Sequence, residues 1–293
     1  MYGWIKDDKE VDRIAATFPN PIFQTPAPSE QNVFNHTIFK AQTGRWAYCG
    51  YQKIGDCVSW GHARACNYDQ VLASVYEPKR LLDYQETCTE WVYGGSRVEI
   101  GNRQLGRGDG SVGAWAARWG CNGGFVSRLN LAIMGQPAEY DPNRARQWGY
   151  EGIPDTLEPA GLGHKFLEAT LVKNVSSAIS HIQNGRVVPV CSNVGFQNDR
   201  GGTRRDEDGN VSPEGRWDHC MAFTSVRFGR RPSLLLENQW QPELTFGPMG
   251  EIEIPPSSWW VDMEVADEML KQGDSWAYST YAGYPTRKLT WRF

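Results

Sequence analysis

The sequence predicts an α+β fold of two lobes, because helical patterns come first along the chain and strand patterns come second. The run over 57–76 has one glycine, no proline and apolar residues around most of its circumference, which is typical of a buried helix. Several β-branched runs follow residue 185 and are typical of buried strands. The 13 Trp, 12 Tyr and 11 Phe require a sizeable core, because large rings are costly to expose.

Charge and length exclude several classes of protein. The 293 residues contain 30 Lys and Arg against 34 Asp and Glu, a net charge of -4, so there is no cationic excess for binding nucleic acid. No apolar run reaches the ~18 residues of a membrane span. The charged first residues also lack the apolar stretch of a secretory signal peptide. We therefore expect a cytoplasmic or virion protein without nucleic-acid or membrane partners.

The chain divides into four segments by composition. A short helical stretch and a proline-punctuated extended stretch come first, helical patterns and then strand patterns follow, and the last segment is rich in Trp and Tyr. We assign these segments to an N-terminal arm (1–50), a helical lobe (51–165), a β lobe (166–256) and a C-terminal aromatic extension (257–293).

The helical lobe is predicted to contain three helices. The first begins at Cys57 and ends before Pro78, since proline disfavours the helical conformation in the residue that precedes it. The second spans 79–92 and ends at a pair of glycines, and the third lies within 111–119. Residues 135–165 are polar and rich in glycine and proline, which predicts an irregular connection.

The β lobe is predicted to open with a short amphipathic helix over 174–185. Strands should then begin at Arg186, His219 and Ser233, with a further strand over 250–255. Residues 197–216, which precede His219, form a polar run. Irregular loops of this length are usually functional or mobile. The simplest interpretation is a solvated loop, and the alternative is a lid over a cleft.

The seven cysteines do not form a disulfide or zinc pattern. Their number is odd, their spacing is scattered and the sequence has no CxxC pair. His62 and Cys66 lie four residues apart on the first predicted helix, but two ligands do not make a metal site. We therefore expect mostly buried thiols, no metal and no cofactor.

Three residues carry the predicted chemistry. Cys57 opens a helix, where the positive end of the helix dipole lowers the pKa of a thiol and favours the nucleophilic thiolate. Such a nucleophile needs a base and a group that orients the base. His219 begins a strand, and Asn238 ends the next one, so the Asn238 oxygen can fix one imidazole nitrogen and leave the other for the thiol. The alternative is that these residues never meet.

The segment QKIGDCVSW, from Gln52 to Trp60, resembles the glutamine-to-cysteine segment of papain-like cysteine peptidases. The resemblance implies a two-lobe fold, in which a helical lobe and an antiparallel, barrel-like β lobe enclose an active-site cleft. It also implies that Cys57 attacks a peptide carbonyl to give a thioester. Gln52 and the Cys57 backbone N–H would then stabilise the oxyanion.

Two later segments resemble the same family. Asp218 and His219, before an apolar strand, are similar to its histidine segment. Asn238, Gln239 and Trp240 are similar to its Asn-Ser-Trp segment, in which the Trp shields the hydrogen bond between Asn and His. The order Gln, Cys, His, Asn is the papain-like order.

A glycine-rich segment resembles the family's loop that binds the substrate backbone. By position we assign this role to the start of 108–113, namely Gly108, Asp109, Gly110 and Ser111. The alternative is 120–124, which reads Gly-Cys-Asn-Gly-Gly but follows the predicted helix.

The sequence also departs from the family. Ile54 stands where many members have a cysteine, Cys220 stands where alanine is usual, and the family's inhibitory propeptide of ~100 residues is not expected before Cys57. These differences fit an intracellular or virus-borne divergent member that acts on a peptide or protein substrate.

Two rival functions remain at this point. One is a catalytically weak or inactive papain-like scaffold in a larger assembly such as a virus particle, since fold does not fix function. Residues 1–50 and 257–293 would then bind assembly partners, and the tryptophans of the last segment would form an added surface. The other is transfer of the thioester to an amine instead of hydrolysis.

Overall fold

The computed structural model describes residues 3–18, 28–76, 84–199 and 202–281, and its elements form the predicted α+β arrangement. Across these residues, no helix combines the length and apolarity that crossing a membrane requires. The α-helices are α1 (Asp8–Ala15), α2 (Asn35–Thr43), α3 (Cys57–Tyr76), α4 (Thr89–Gly94), α5 (Gly113–Asn122), α6 (Arg128–Ile133), α7 (Pro142–Glu151), α8 (Val175–Gln183) and α9 (Met263–Leu270). The strands are β1 (Phe166–Leu171), β2 (Val188–Phe196), β3 (Asn198–Asp199), β4 (Gly202–Arg204), β5 (Pro213–Arg227), β6 (Ser233–Glu237), β7 (Thr245–Phe246), β8 (Ser258–Asp262) and β9 (Trp276–Tyr281).

The strands form three sheets, with the orders β1-β9, β2-β5-β6-β8 and β3-β4-β7. The four-stranded sheet is antiparallel throughout and packs against α8 and α9. Strands β5 and β6 pair so that Ala222 lies opposite Glu237. This register brings the beginning of the β5 apolar run, at His219, close to the residues that follow β6.

Helix α3 is the centre of the helical lobe. It packs against α2, α4 and α5 and also against β2 and β5 of the other lobe. Because both lobes cover it, almost all of its described side chains are buried, which explains why the sequence shows no polar face. It begins at Cys57, as predicted, and extends to Tyr76, whereas the predicted end before Pro78 lies outside the described residues.

The predicted second helix, 79–92, is wrong at both ends. Residues 79–83 lie outside the described residues, and 84–88 are not helical. The Thr87 N–H donates to the Asn67 side chain and the Cys88 N–H donates to the Val126 carbonyl, so these backbone groups serve tertiary contacts instead of a helix. The helix begins at Thr89 and runs through both glycines into a π-helix, Gly95–Ile100.

The predicted irregular connection over 135–165 is also wrong, because it contains α7. The Asp141 carboxylate accepts a hydrogen bond from the Asn143 N–H, and Pro142 occupies the first turn. An N-cap Asp followed by Pro is a helix-start signal, since Pro fixes a helical φ where no N–H is needed. The glycine and proline content concealed that signal.

The C-terminal extension belongs to the fold. Strand β8 is the neighbour of β6 in the four-stranded sheet, and β9 pairs with β1. Trp259, Trp260 and Trp276 have no exposed surface, so the expectation that they form an added surface is wrong. Trp291 lies outside the described residues.

The predicted strand over 250–255 is a turn and an irregular stretch instead. Ile254 in this stretch is buried against Leu235 and Trp260. The apolar pattern there reflects the packing of single side chains. The strand that pairs with β6 at this edge of the sheet is β8.

The described residues of the polar segment 197–216 include β3, β4 and the first residues of β5. Arg231 bridges Asp206 and the β8 residue Asp262, and the buried Arg205 donates to the Ser258 carbonyl. These contacts attach the segment to the edge strand β8, which favours a fixed surface loop over a lid.

Candidate active site

The fold brings the predicted catalytic side chains to the boundary between the lobes. Cys57 is the first residue of α3 in the helical lobe, whereas His219 and Asn238 lie on β5 and directly after β6. Gln52 joins them because its N–H donates to the Gln239 carbonyl at 3.1 Å, which pairs the chain before α3 with the chain after β6.

Of the two ring nitrogens of His219, one is hydrogen-bonded and the other is not. His219 Nε2 lies 2.9 Å from Asn238 Oδ1, and because an amide oxygen can only accept, the hydrogen is on Nε2. The Trp240 ring stacks on the imidazole, with centroids 4.4 Å apart. His219 Nδ1 is buried and has no hydrogen-bond partner among the described residues. The basic nitrogen is therefore Nδ1.

The Gln52 amide is held in one orientation. Trp240 Nε1 donates to Gln52 Oε1 at 3.1 Å, and Gln239 Nε2 lies 3.4 Å from the same oxygen. Gln52 Nε2 donates to the Ile54 carbonyl at 2.7 Å. The indole N–H can only donate, so it determines which end of the amide carries the hydrogens.

Burial disfavours the charged forms of both the thiol and the imidazole. Burial raises the pKa of the Cys57 thiol well above its ordinary value, although backbone hydrogen bonds of Cys220 and Gly3 act in the opposite direction. Burial lowers the pKa of His219 to about 3, against the hydrogen bond with Asn238. The expectation of a lowered Cys57 pKa is therefore wrong for this state, because loss of solvent outweighs the helix dipole.

The backbone of residues 3–5, called the cleft segment below, buries this site. The N–H groups of Gly3 and Trp4 both donate to the Asp218 carbonyl, at 3.0 and 3.1 Å. The Ser111 N–H donates to the Gly3 carbonyl at 2.8 Å, and the Ile5 N–H donates to the Ser111 carbonyl at 2.9 Å. The cleft segment thus bridges the two lobes beside the candidate catalytic residues, and Trp4 forms an isolated parallel β-bridge with Ser111.

Only glycine fits at the position of Gly3. A Cβ there would lie 2.0 Å from the carbonyl oxygen of Gly55, which stands two residues before Cys57. The cleft segment was not predicted from the sequence, in which its one signal is this residue without a side chain.

The predicted substrate loop lies against the cleft segment. Ser111 pairs with it, and a Cβ on Gly110 would lie 2.8 Å from the Ile5 side chain. Asp109 accepts a hydrogen bond from the Gly55 N–H at 3.2 Å, and the Gly108 carbonyl accepts one from the buried Arg97 at 2.6 Å.

The alternative loop, 120–124, meets other partners. A Cβ on Gly124 would lie 2.1 Å from the Gly161 carbonyl oxygen, and the Gly124 carbonyl accepts a hydrogen bond from Trp91 Nε1. These contacts lie within the helical lobe, so the geometry favours the loop that begins at Gly108.

His62 and Cys66, the two residues considered as metal ligands, contact other side chains instead. His62 Nδ1 lies 2.5 Å from the Tyr278 hydroxyl, and Gln70 Nε2 lies 3.7 Å from Cys66 Sγ. Over the described parts of the chain, no three His, Cys, Asp or Glu residues are grouped as metal ligands.

The buried carboxyl group of Asp56, the neighbour of Cys57, is expected to make the free energy of unfolding fall as the pH rises. Burial raises the pKa of Asp56 to about 8, against the hydrogen bond that the Tyr140 hydroxyl donates to its Oδ2. Between about pH 4 and pH 8 the folded chain retains a proton that the unfolded chain loses, so the free energy of unfolding falls across this range. Urea titrations at pH 5 and pH 8 should show a smaller fall for Asp56→Asn than for the unmodified chain. An equal fall, or the same reduction in the exposed control Asp8→Asn, would contradict this.

Comparison with solved structures identifies the fold. Xylellain, a cysteine protease from Xylella fastidiosa, superimposes with a TM-score of 0.55 and 14% identity over 95% of this chain and 91% of its own. ProCathepsin B S9 from Trypanosoma congolense gives 0.58 and 9% over 96% and 86%. Digestive procathepsin L 3 of Tenebrio molitor larval midgut gives 0.56 and 10% over 93% and 79%. No family model and no curated protein matches the sequence. The chain has the papain-like cysteine peptidase fold.

Proposed function

We propose that this papain-like chain is a thiol-dependent peptidase in a latent state, with Cys57 as nucleophile, His219 as base and Asn238 as the orienting residue. The observation that carries the proposal is the 2.9 Å hydrogen bond between His219 Nε2 and Asn238 Oδ1, together with the unbonded Nδ1. Among the described residues, His36 and His62 are also buried with one bonded and one unbonded ring nitrogen, so the Asn238 partner and the Trp240 ring stacked on the imidazole are what set His219 apart. The boundary between the lobes also suits an extended peptide, because the cleft segment is itself one.

In the proposed reaction, His219 Nδ1 takes the Cys57 proton and the sulfur attacks the carbonyl carbon of a peptide bond. The Cys57 backbone N–H and Gln52 Nε2 stabilise the oxyanion, each donor contributing roughly 3–4 kcal/mol in comparable sites. His219 then protonates the leaving amine, and the thioester remains. A water molecule activated by His219 attacks the thioester and releases the carboxylic acid.

Latency follows from the cleft segment. Residues 3–5 occupy the backbone groups of Ser111 and Asp218, which a peptide substrate bound along the lobe boundary would need. The cleft segment must therefore leave before a substrate enters. Its departure also returns water to Cys57 and His219, which favours the charged thiolate and imidazolium forms.

The test is a cysteine substitution in a chain whose cleft segment has been displaced by Gly3→Val. We expect Cys57→Ala to lower hydrolysis of a fluorogenic peptide library by at least about 10³-fold, because loss of a covalent nucleophile removes the chemical step. Cys88→Ala is the matched control, since Cys88 is a buried thiol at the start of α4. We expect it to retain activity. Equal activity in the two variants would refute the proposal, and no hydrolysis in any variant would favour the inactive scaffold.

A further inference from the structure

Cys220 places a second thiol beside Cys57, at a position where alanine is usual in the papain-like family. Burial raises the pKa of the Cys57 thiol, the neighbouring Cys220 thiol raises it further, and a hydrogen bond from the Cys220 backbone N–H acts in the opposite direction. A Cβ on Gly61 would lie 2.7 Å from Cys220 Sγ. Because residues 57 and 61 are four apart on α3, they share one face of the helix. The two thiols therefore lie within one turn of α3 of each other.

A third thiol, Cys191, lies directly opposite Cys220 on the neighbouring strand β2. Two residues earlier, Pro189 pairs with Ala222, and no shift of register separates the two pairs. Proline has no N–H, so Pro189 cannot exchange two hydrogen bonds with its partner, and hydrogen-bonded and non-hydrogen-bonded pairs alternate along an antiparallel ladder. Both pairs are therefore non-hydrogen-bonded. The Cys220 carbonyl agrees with this, since it accepts a hydrogen bond at 2.8 Å from the Gln239 side chain instead.

A non-hydrogen-bonded pair has the spacing that a disulfide requires. Its Cα atoms lie about 4.5 Å apart, inside the range of ~4.4–6.8 Å that disulfides span. Burial and a hydrogen bond with the Cys220 side chain raise the pKa of Cys191 well above its ordinary value. Both thiols share one core cluster with Cys57, and none of the three has exposed surface. An oxidant can therefore act on this pair only through a thiol that becomes exposed, and Cys57 becomes exposed when the cleft segment leaves.

We propose that Cys191 and Cys220 form a reversible cross-strand disulfide, and that a peroxide makes it through Cys57. The disulfide itself requires only a reactive Cys57, whereas its meaning as protection of a nucleophile rests on the proposed function. A cysteine sulfenic acid that no thiol captures is oxidised further to a sulfinic acid, which ordinary reductants do not reverse. Transfer of the oxidation to Cys191 and Cys220 would return Cys57 to the thiol.

The proposed chemistry has three steps. The Cys57 thiolate attacks one oxygen of the peroxide and the O–O bond breaks, which gives a sulfenic acid and a hydroxide that takes up the proton Cys57 had lost. The Cys220 thiol attacks the sulfenic sulfur, so that a Cys57–Cys220 disulfide forms and the hydroxyl group leaves as water with the Cys220 proton. The Cys191 thiol attacks the Cys220 sulfur, and Cys57 leaves with the Cys191 proton. Two thiols lose two electrons, and hydrogen peroxide gains them and becomes two waters.

The test treats the full chain carrying Gly3→Val, which displaces the cleft segment, with one equivalent of hydrogen peroxide. Remaining thiols are blocked with N-ethylmaleimide in urea, and tryptic peptides are mapped by mass spectrometry without reduction. Trypsin places Cys57, Cys191 and Cys220 on the peptides 54–64, 187–200 and 217–227, each with a single cysteine. We expect a disulfide between the last two peptides, a Cys57 that is blocked as a thiol, and recovery of all three thiols with dithiothreitol.

Cysteine variants of the same chain separate the steps. Cys191→Ala should retain the intermediate, a disulfide between the peptides of Cys57 and Cys220. Cys57→Ser should form the Cys191–Cys220 disulfide at least about tenfold more slowly, because the exposed thiolate is lost. Cys88→Ala is the matched control, since Cys88 is a buried thiol at the start of α4, and it should form the disulfide at the rate of its parent.

Two results would overturn the proposal. One is recovery of Cys57 as a sulfinic acid while Cys191 and Cys220 remain thiols. The other is equal rates of disulfide formation with and without Cys57. The mapping of the Gly3→Val chain needs no cysteine variant, so it decides the first point even if a variant does not fold. If Gly3→Val does not fold, longer treatment of the unmodified chain should give the same disulfide.

Peptide hydrolysis by the Gly3→Val chain is measured before and after the peroxide. Hydrolysis should survive within about twofold, whereas the further change Cys220→Ala should make the peroxide lower hydrolysis at least about tenfold from its own untreated value, because nothing captures the sulfenic acid. A disulfide in a chain that hydrolyses nothing before treatment would support the thiol pair and refute the proposed function. Hydrolysis that peroxide abolishes while Cys191 and Cys220 remain thiols would support the proposed function and refute the pair.

Discussion

Replacing Gly3 by valine is expected to raise the alkylation rate of Cys57 by iodoacetamide at least about tenfold at neutral pH, which corresponds to about 1.4 kcal/mol. The side chain would overlap the Gly55 carbonyl, because even a Cβ would lie 2.0 Å from that oxygen. Backbone atoms cannot rotate out of the way as the end of a side chain can. The cleft segment must therefore move away from Gly55, and the buried Cys57 thiol becomes accessible to water and to iodoacetamide.

The matched control is Gly163→Val, because a Cβ on Gly163 meets nothing within 4 Å. Mass spectrometry of tryptic peptides gives the labelling rate of Cys57 and, as internal references, of the buried Cys88 and Cys191. Peptide hydrolysis should rise together with Cys57 labelling. Faster labelling of all three thiols would indicate general unfolding, and unchanged labelling of Cys57 would mean that the cleft segment does not control access.

The candidate catalytic residues could be proposed from the sequence because each occupies a locally encoded position. Cys57 follows a turn and opens a long apolar run, His219 stands where a polar run becomes an apolar strand, and Asn238 ends the next strand. Their pKa values were not predictable, since the direction of the shift depends on what covers the site. The start of a helix at Cys57 can be predicted from the sequence, whereas the contact of residues 3–5 with this site cannot.

The contacts and elements that were not predicted from the sequence share one physical cause. Asp274 meets Trp4 across 270 residues of chain, so no periodicity or spacing connects them. Strand β8 is encoded by Ser258–Asp262, but it takes its place only because β6 offers an edge. Contacts of this kind are decided by docking in three dimensions, whereas helix ends such as Asn174 before α8 are decided by neighbouring residues and were predicted correctly.

The largest loss of stability is expected at Glu237, which directly precedes Asn238. Its Oε2 lies 2.7 Å from Arg64 Nη1, and its Oε1 accepts from the Tyr68 hydroxyl, so it joins α3 to β6. The Arg64 and Glu237 side chains are only 5% and 1% exposed. Glu237→Ala would leave the Arg64 charge buried without its partner, and removal of one member of such a pair costs about 3–5 kcal/mol.

Urea denaturation at pH 7 measures this loss against the surface pair of Lys40 and Glu253, whose side chains are 38% and 61% exposed. Glu253→Ala should cost less than about 1 kcal/mol, because exposed ion pairs are screened by solvent. The double change Arg64→Met and Glu237→Met should recover much of the loss, since well-packed apolar side chains leave no buried charge. Equal losses for Glu237→Ala and Glu253→Ala would show that the contact between α3 and β6 does not depend on this ion pair. If the double variant is no more stable than Glu237→Ala, the loss comes from packing and not from an unpaired charge.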